Sequence, residues 1–301
     1  MEGTALQLDM FTVNALDPPL RDNRDVMEYP FLSLQKRRTQ AIEYRHKSIQ
    51  ISVDSDRRFS IATIWDWDLI IFAASHLNDA IEQGHKPSPR IRFAPHDALR
   101  QMGRTTGGRD YKELAAAIKR LAATLVITNI RFDDQPKQGG QMGFHWLSGF
   151  WIPVRYHFDN WLTLESPDGE PDPSQPWEVE LPPWLYNAIL RRSDILAVHP
   201  GYFELTGGVE RWLYRLARKA VPDKAEFPGI SFRMDSLFAR SGLSGRLRDF
   251  RTRLEDIEAR QPLPEYDIGI NRNGRHELVT LMRNRAKPGR LPRGVRKLAV
   301  G

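Results

Sequence analysis

The chain has 301 residues, 41% of them hydrophobic, with 44 Lys plus Arg against 38 Asp plus Glu and a net charge of +6. It has no cysteine, which excludes disulfides, Cys-ligated zinc and a thiol nucleophile. The longest apolar run, Leu69–Ala74, is far short of the roughly 20 residues that cross a bilayer, and MEGTALQLDMF lacks the basic-then-apolar order of a signal peptide. These features indicate a cytoplasmic protein of two domains with two modest cores. Its basic excess suits a polyanionic partner, with plain solubility as the alternative.

Residues 1–28 are polar, carry Asp17-Pro18-Pro19 and read as a flexible arm. Short β-prone pieces follow at Ile42–Tyr44 and Ser48–Val53, and Arg57–Ile61 is a further candidate strand. The first long helix is expected over Ile64–Glu82. There Trp65, Leu69, Phe72, Ala73, His76, Leu77, Ala80 and Ile81 form one apolar stripe, ended by Gly84 and Pro87. Next come a strand at Arg90–Phe93, a short helix at His96–Met102 stopped by Gly103, and the turn-rich Arg104–Gly108. The helix Arg109–Ala123 turns Tyr111, Leu114, Ile118 and Leu121 inward, and Arg109, Lys112, Ala116, Lys119 and Arg120 outward. Leu125–Phe132 and Phe144–Trp151 read as two strands around the loop DDQPKQGGQ. Helix, turn, helix, hairpin is the order of a winged helix-turn-helix domain.

The acidic, Pro-rich Ser166–Pro176 reads as a linker or long surface loop. A strand at Trp177–Leu181 and a short helix at Pro183–Arg191 follow. The helix Gly208–Ala220 carries Val209, Trp212, Leu213 and Leu216 on its apolar face, with Arg211, Arg215, Arg218 and Lys219 outside. Met234–Arg240 is a short helix stopped by Gly242, Leu243-Ser244-Gly245 a turn, and Arg246–Arg260 a candidate recognition helix with Leu247, Phe250, Leu254 and Ile257 inward. Tyr266–Ile270 and His276–Met282 pair across Asn271–Gly274, whose Asn-Gly is a strong hairpin signal. The tail carries seven basic residues and no acid.

The two candidate recognition helices share an opening. The offset that carries Arg109 onto Arg248 also carries Phe93 onto Phe232, Gly103 onto Gly242 and Asp110 onto Asp249. It likewise carries Tyr111 onto Phe250, Lys112 onto Arg251 and Ile118 onto Ile257. Chance likeness of two basic amphipathic helices competes with duplication, but the order of elements repeats too. The fold class read from the sequence is α+β, two tandem winged helix-turn-helix domains related by internal duplication. The expected units are an arm at 1–28, a first domain at 29–164, a linker at 165–177, a second domain at 178–282 and a basic tail at 283–301.

Catalytic constellations are missing from the sequence. There is no Gly-Lys pair for a P-loop, no His-x-His for a metal-dependent nickase and no Gly-x-Ser-x-Gly. His276-Glu277 lacks the second histidine of a zincin motif. Asp66 and Asp68 are expected to form a solvated, favourably charged helix start. No cofactor, metal or enzymatic activity is expected.

DNA binding needs cations for phosphates and donors for base edges. In a helix-turn-helix the second helix reads the major groove with its N-terminal residues. In the first unit the candidates are Arg104, Thr105, Thr106, Arg109 and Lys112, with Gly107 and Gly108 letting backbone approach a phosphate. In the second they are Ser244, Arg246, Arg248, Arg251, Thr252 and Arg253, with Arg248 and Thr252 nearly opposite the inward face. Arg272 and Arg275 flank a hairpin tip where a phosphate can be gripped, and Lys137 is a weaker wing candidate. For each cation the competing role is a solvated face or an i, i+4 pair such as Arg251–Glu255. Trp146, Phe150, Trp151, Trp65, Trp67, Trp184 and Trp212 are assigned to core packing rather than base stacking.

YPFLSLQKRRTQAIEYR (Tyr29–Arg45), IWDWDLIIFAAS (Ile64–Ser75), RFAPHDALRQMGRTTGGRDYKEL (Arg92–Leu114) and YFELTGGVERWLYRLARK (Tyr202–Lys219) carry a resemblance. Over Tyr29–Met282 the chain resembles the replication initiator protein A family of bacterial plasmid initiators, and TGGVERWLYRLARK is the most specific piece. The resemblance implies a double-stranded DNA-binding protein that recognises repeated origin sequences and promotes opening of an AT-rich stretch. It also implies recruitment of a host initiator and replicative helicase, and repression of its own promoter as a homodimer. A winged-helix repressor with no role in initiation is the alternative.

Overall fold

The computed structural model describes residues 10–13, 17–56, 58–130, 140–155, 169–222, 229–273 and 276–284. Strands β1 (Phe11–Thr12) and β2 (Arg21–Asn23) precede a hairpin of β3 (Ile42–His46) and β4 (Ile49–Ser55). Helix α1 (Asp68–Glu82), β5 (Arg90–Phe93), α2 (Pro95–Gln101), α3 (Gly108–Ala123), β6 (Thr124–Thr128) and β7 (Met142–His145) make the first unit. Then come β8 (Gly149–Trp151), β9 (Val154–Arg155), β10 (Glu170–Pro171), β11 (Trp177–Glu180), α4 (Pro183–Leu190) and β12 (Ile195–Ala197). The second unit is α5 (Gly208–Ala220), β13 (Ile230–Arg233), α6 (Met234–Ser241), α7 (Leu247–Arg260), β14 (Tyr266–Asn273) and β15 (His276–Arg283). The architecture is α+β, with seven α-helices among the described residues.

Alternation sets the sheets. In β6 Thr124, Val126 and Thr128 are buried while Leu125 and Ile127 face out, the period of a half-covered strand. It pairs with β4 and β7 in the antiparallel order β3-β4-β6-β7. A second sheet has the order β1-β5-β11-β8, and a third, β13-β15-β14, is antiparallel with Ile268 opposite Leu281 and Ile270 opposite Val279. Two short pairs, β2–β12 and β9–β10, complete the set.

Helix α1 is buried on nearly every side, including Leu69, Ile70, Ile71, Phe72, Ala73, Ala74 and Leu77. It is a central helix rather than one with a single apolar stripe. It starts at Asp68, later than Ile64, because Thr63–Trp67 close into turns in which the Thr63 N–H donates to Asp66 Oδ2 at 2.8 Å.

The order helix, strand, helix, helix, strand, strand occurs twice. The offset of Arg109 onto Arg248 carries Gly108, the first residue of α3, onto Leu247, the first of α7, and Pro95 onto Met234. Gly103 and Gly242 both hold the left-handed conformation, at φ 68 and 64, after α2 and α6, as a chain leaving a helix sharply requires. The sheet pairing differs: β13 pairs with β15 of its own hairpin, whereas β5 pairs with β1 and β11, and the β6–β7 hairpin joins β4.

Several expectations are corrected. The described part of the expected arm is structured: β1 pairs with β5, β2 pairs with β12, and Asp22 is buried. The described part of the acidic segment does not hang free. There β10 pairs with β9, and Asp172 is buried beneath Arg155 at 2.6 Å. The next strand, β11, lies between β5 and β8, so the chain returns to the first unit's sheet. Phe144–Trp151 is two strands, and the described residues 58–61 form none. Buried side chains form one continuous apolar cluster from Val26 to Leu281, not two cores. Phe132, Lys137, Gly274, Arg275 and the tail from residue 285 lie outside the described residues.

Candidate nucleic-acid interface

Helix α7 is anchored by Phe250, Leu254 and Ile257, all buried. Leu247, expected inward, is exposed at the first position of the helix. Arg248 and Arg253 are exposed, and neither has an ion-pair partner among the described residues. Arg246 folds back on Asp249 at 3.1 Å across an exposed first turn. Arg251 pairs with Glu277 of β15 at 2.6 Å, not with Glu255. Thr252 donates its hydroxyl to the Arg248 carbonyl at 3.2 Å, and Ser244 donates to Gln35 Oε1 at 3.3 Å. Exposed pairs such as Arg246–Asp249 hold about 0.2–1 kcal/mol, so a phosphate can compete for the cation. The side chain of Arg272 and all of Arg275 lie outside the described residues.

The first unit arranges its candidates differently. Arg104 turns inward and donates to Asp68 Oδ2 at 3.1 Å and to the Trp65 carbonyl at 2.6 Å. It braces the fold from a half-buried position. The Gly107 N–H and the Thr105 hydroxyl both donate to Asp110 Oδ2, at 3.1 and 2.6 Å. The start of α3 is therefore capped by its own carboxylate, which disfavours a phosphate cradle on this turn. Thr106 is half-buried. Arg109 is exposed and has no ion-pair partner among the described residues, and Lys112 reaches Glu170 of β10 at 2.8 Å. Arg120, expected outward, lies on Asp66 with two hydrogen bonds of 2.7 and 2.9 Å.

The matched positions thus behave alike. Arg109 and Arg248 are exposed and unpaired among the described residues, while Lys112 and Arg251 each meet a carboxylate on a strand later in the chain.

Behind these surfaces lies a set of buried ion pairs that the sequence reading missed. Asp66 and Asp68 are not a solvated helix start. Asp66 receives Arg120, and Asp68 receives Arg104 and Arg211, the latter at 2.6 Å. Burial pushes the Asp68 carboxyl above the ordinary carboxylate value, and the Arg211 and Arg104 guanidiniums oppose that shift. Arg211 and Arg215, expected outside, are buried. A signal was present: both flank the apolar stripe of α5, directly before Trp212 and Leu216, where a carboxylate must meet them if the helix is central.

Trp67, Trp146, Trp184 and Trp212 belong to the core, with Trp67 and Trp146 edge-to-face at 4.9 Å. Trp65 is half-buried under Lys36. Phe150 and Trp151 depart from the expectation and are exposed, as successive residues on opposite faces of the edge strand β8. Among the described residues no cluster of His, Cys, Asp or Glu could hold a metal ion, and no helix is long and apolar enough to cross a membrane.

Residues 21–268 match the family model described as Replication initiator protein A. The chain belongs to the replication initiator protein A family. This membership supports a role in replication initiation. Over 248 residues the chain is 31% identical to a protein of Wigglesworthia glossinidia brevipalpis called "Putative replication protein", covering 81% of this chain and 82% of that one. The fold is similar to crystal structures of RctB. A selenomethionine derivative of its domains 2 and 3 matches with TM-score 0.56 and 15% identity, over 83% of this chain and 93% of that one. A second structure of RctB domains 2–3 matches with TM-score 0.54 and 15% identity, over 86% and 96%.

Proposed function

We propose that the protein is a sequence-specific double-stranded DNA-binding replication initiator of a bacterial plasmid, working in the cytoplasm through binding energy and without catalysis. Each unit acts as a winged helix-turn-helix, with α3 and α7 as recognition helices. The observation that carries this reading is the pair Arg109 and Arg248. They sit at matched places in the first turns of two helices, exposed and unpaired among the described residues. An arginine there is free to take two acceptors of a guanine. Thr105, Arg246, Thr252 and Arg253 surround them at the surface, with Lys112 and Arg251 available on exchange of their carboxylate partners.

Copies bound at repeated origin sequences bend or untwist the duplex, at a cost of order 1–6 kcal/mol for a smooth bend, and promote opening of an adjacent stretch. A host initiator and the replicative helicase are the partners this role calls for, and a homodimer at its own operator is the form for repression. The test is a titration against labelled DNA flanking the protein's own gene, at several salt concentrations, with scrambled DNA as competitor. Competitor-resistant binding to a repeated element is expected. An assay for maintenance of a plasmid carrying that element then separates initiator from repressor: failure to maintain it would leave only repression.

A further inference from the structure

The short basic loop Gln35-Lys36-Arg37-Arg38 belongs to the N-terminal part of the chain, yet it is fastened to the turn of the second unit. At one end Gln35 Oε1 accepts from Ser244, the residue of that turn two positions before the N-cap of α7. At the other end the Arg38 guanidinium donates to the Gly242 carbonyl, and also to the Gln40 and Ala41 carbonyls at 2.9 and 3.1 Å. Gly242 closes the joint: a Cβ there would meet the side chains of Pro30 and Ile42 at 2.6 and 3.0 Å, so the turn backbone packs directly against them. The loop is held from within as well, with the Gln35 N–H donating to the Ser33 hydroxyl at 3.1 Å and the Ile61 N–H to the Arg38 carbonyl at 2.7 Å.

Between these fixed ends stand Lys36 and Arg37, both exposed. Arg37 has no ion-pair or hydrogen-bond partner among the described residues, and its backbone is left-handed at φ 57. A non-glycine residue kept in that region is held by its surroundings, and such positions cluster at functional surfaces. Lys36 lies over the Trp65 ring at 5.3 Å and meets no carboxylate among the described residues. Two residues span at most about 7 Å of chain, so Arg37 stands beside the same turn that Gln35 touches. The loop therefore offers two cations without a carboxylate partner among the described residues, fastened to the turn that leads into α7.

We propose that Lys36 and Arg37 form a backbone-contact site for the duplex that α7 reads, gripping phosphates beside the base contacts. The inference rests on the DNA-binding reading and assigns the site to a segment outside the second unit. Because the loop is fastened at Gln35 and Arg38, the phosphate contacts and the base contacts keep a fixed spacing. The role is positional: phosphate contacts set register and carry no base identity.

The test uses the full chain and a short labelled duplex selected by the wild-type protein from a random pool, with a scrambled duplex beside it, titrated at several KCl concentrations. Arg37→Gly removes the cation at a position where glycine accepts the left-handed backbone, so its melting temperature is expected to match or exceed the wild type. Its log affinity against log salt is expected to be shallower by about one, and Lys36→Gln with Arg37→Gly shallower by about two, equally on both duplexes. Arg37→Lys is expected to keep the wild-type slope. Unchanged slopes in the folded variants would overturn the site while leaving the DNA-binding reading intact. If the wild-type chain selects no duplex and binds none with salt dependence, the site and that reading fall together.

Discussion

Asp22 of β2 and Arg215 of α5 meet at 2.6 Å with 0% and 2% of their side chains exposed. Trp67 completes the arrangement: its indole N–H donates to Asp22 Oδ1 at 2.7 Å, and Arg215 lies over its ring at 5.4 Å. A strand expected to be a flexible arm is thus tied to the central helix of the second unit. Removing one partner leaves a buried charge uncompensated, which costs about 3–5 kcal/mol. Arg215→Met is expected to lower the urea midpoint by a corresponding amount. Asp22→Leu with Arg215→Met should recover a large part of it, since the remaining charge is then gone. An equally unstable double variant would show that the pair's shape, rather than its charge, matters.

Arg248 and Arg251 are expected to separate base reading from support. Arg248→Ala is expected to reduce discrimination between the selected and scrambled duplexes by about 1–3 kcal/mol. Arg251→Ala is expected to lower affinity on both by similar factors, because this residue is held by Glu277 at 2.6 Å. Competition titrations measure both. Equal loss on the two duplexes for Arg248→Ala would make it a phosphate contact only.

The chain contains Thr-Gly-Gly twice, at Thr106-Gly107-Gly108 and Thr206-Gly207-Gly208, each before a helix. In both, the first glycine N–H donates to the carboxylate three residues on, Asp110 or Glu210, at 3.1 Å. The second glycines differ. A Cβ at Gly108 meets nothing within 4 Å, whereas at Gly208 it would run into the Leu34 carbonyl and sit 2.9 Å from Trp65. Gly208→Ala is therefore expected to destabilise by about 1–3 kcal/mol through overpacking, and Gly108→Ala to change stability by less than about 0.5 kcal/mol. Thermal melting of the two variants provides the comparison, and equal melting would contradict the close approach.

Asp172 provides a pH signature. Hydrogen bonds from Arg155, Ser174 and Gln175 hold its carboxyl well below the usual carboxylate value of 3.8. A carboxyl whose pKa is lower folded than unfolded binds more protons in the unfolded state, so its contribution is present above pH 3.8 and lost as pH falls further. Asp172→Asn is expected to lower the melting temperature at neutral pH, with the difference from wild type closing in acid. A gap that stays constant on acidification would show that the carboxylate charge is not what stabilises this segment.

Local chemistry made much of the fold legible. The strand at Arg90–Phe93 and the helix at Gly208–Ala220 follow from their periodicity. Gly103 and Gly242 end their helices as left-handed residues, as their places after apolar stretches imply. Residues a few positions apart determine these features, so the sequence by itself determined the longer helices, their order and the family likeness, but not the short strands β1, β2 and β10 or the division of Phe144–Trp151 into two strands. Tertiary structure alone decided which charges face water. Arg211 and Arg215 look like a solvated face until Asp68 and Asp22, 143 and 193 residues away, arrive opposite them. The same holds for Arg104 and Arg120, and, in the other direction, for Lys36 and Arg37, which become part of a surface only through the contacts of Gln35 and Arg38 with the turn at Gly242 and Ser244. A cation pairs with whatever carboxylate the fold brings within a few ångströms, and its sequence neighbours carry no record of that distant partner.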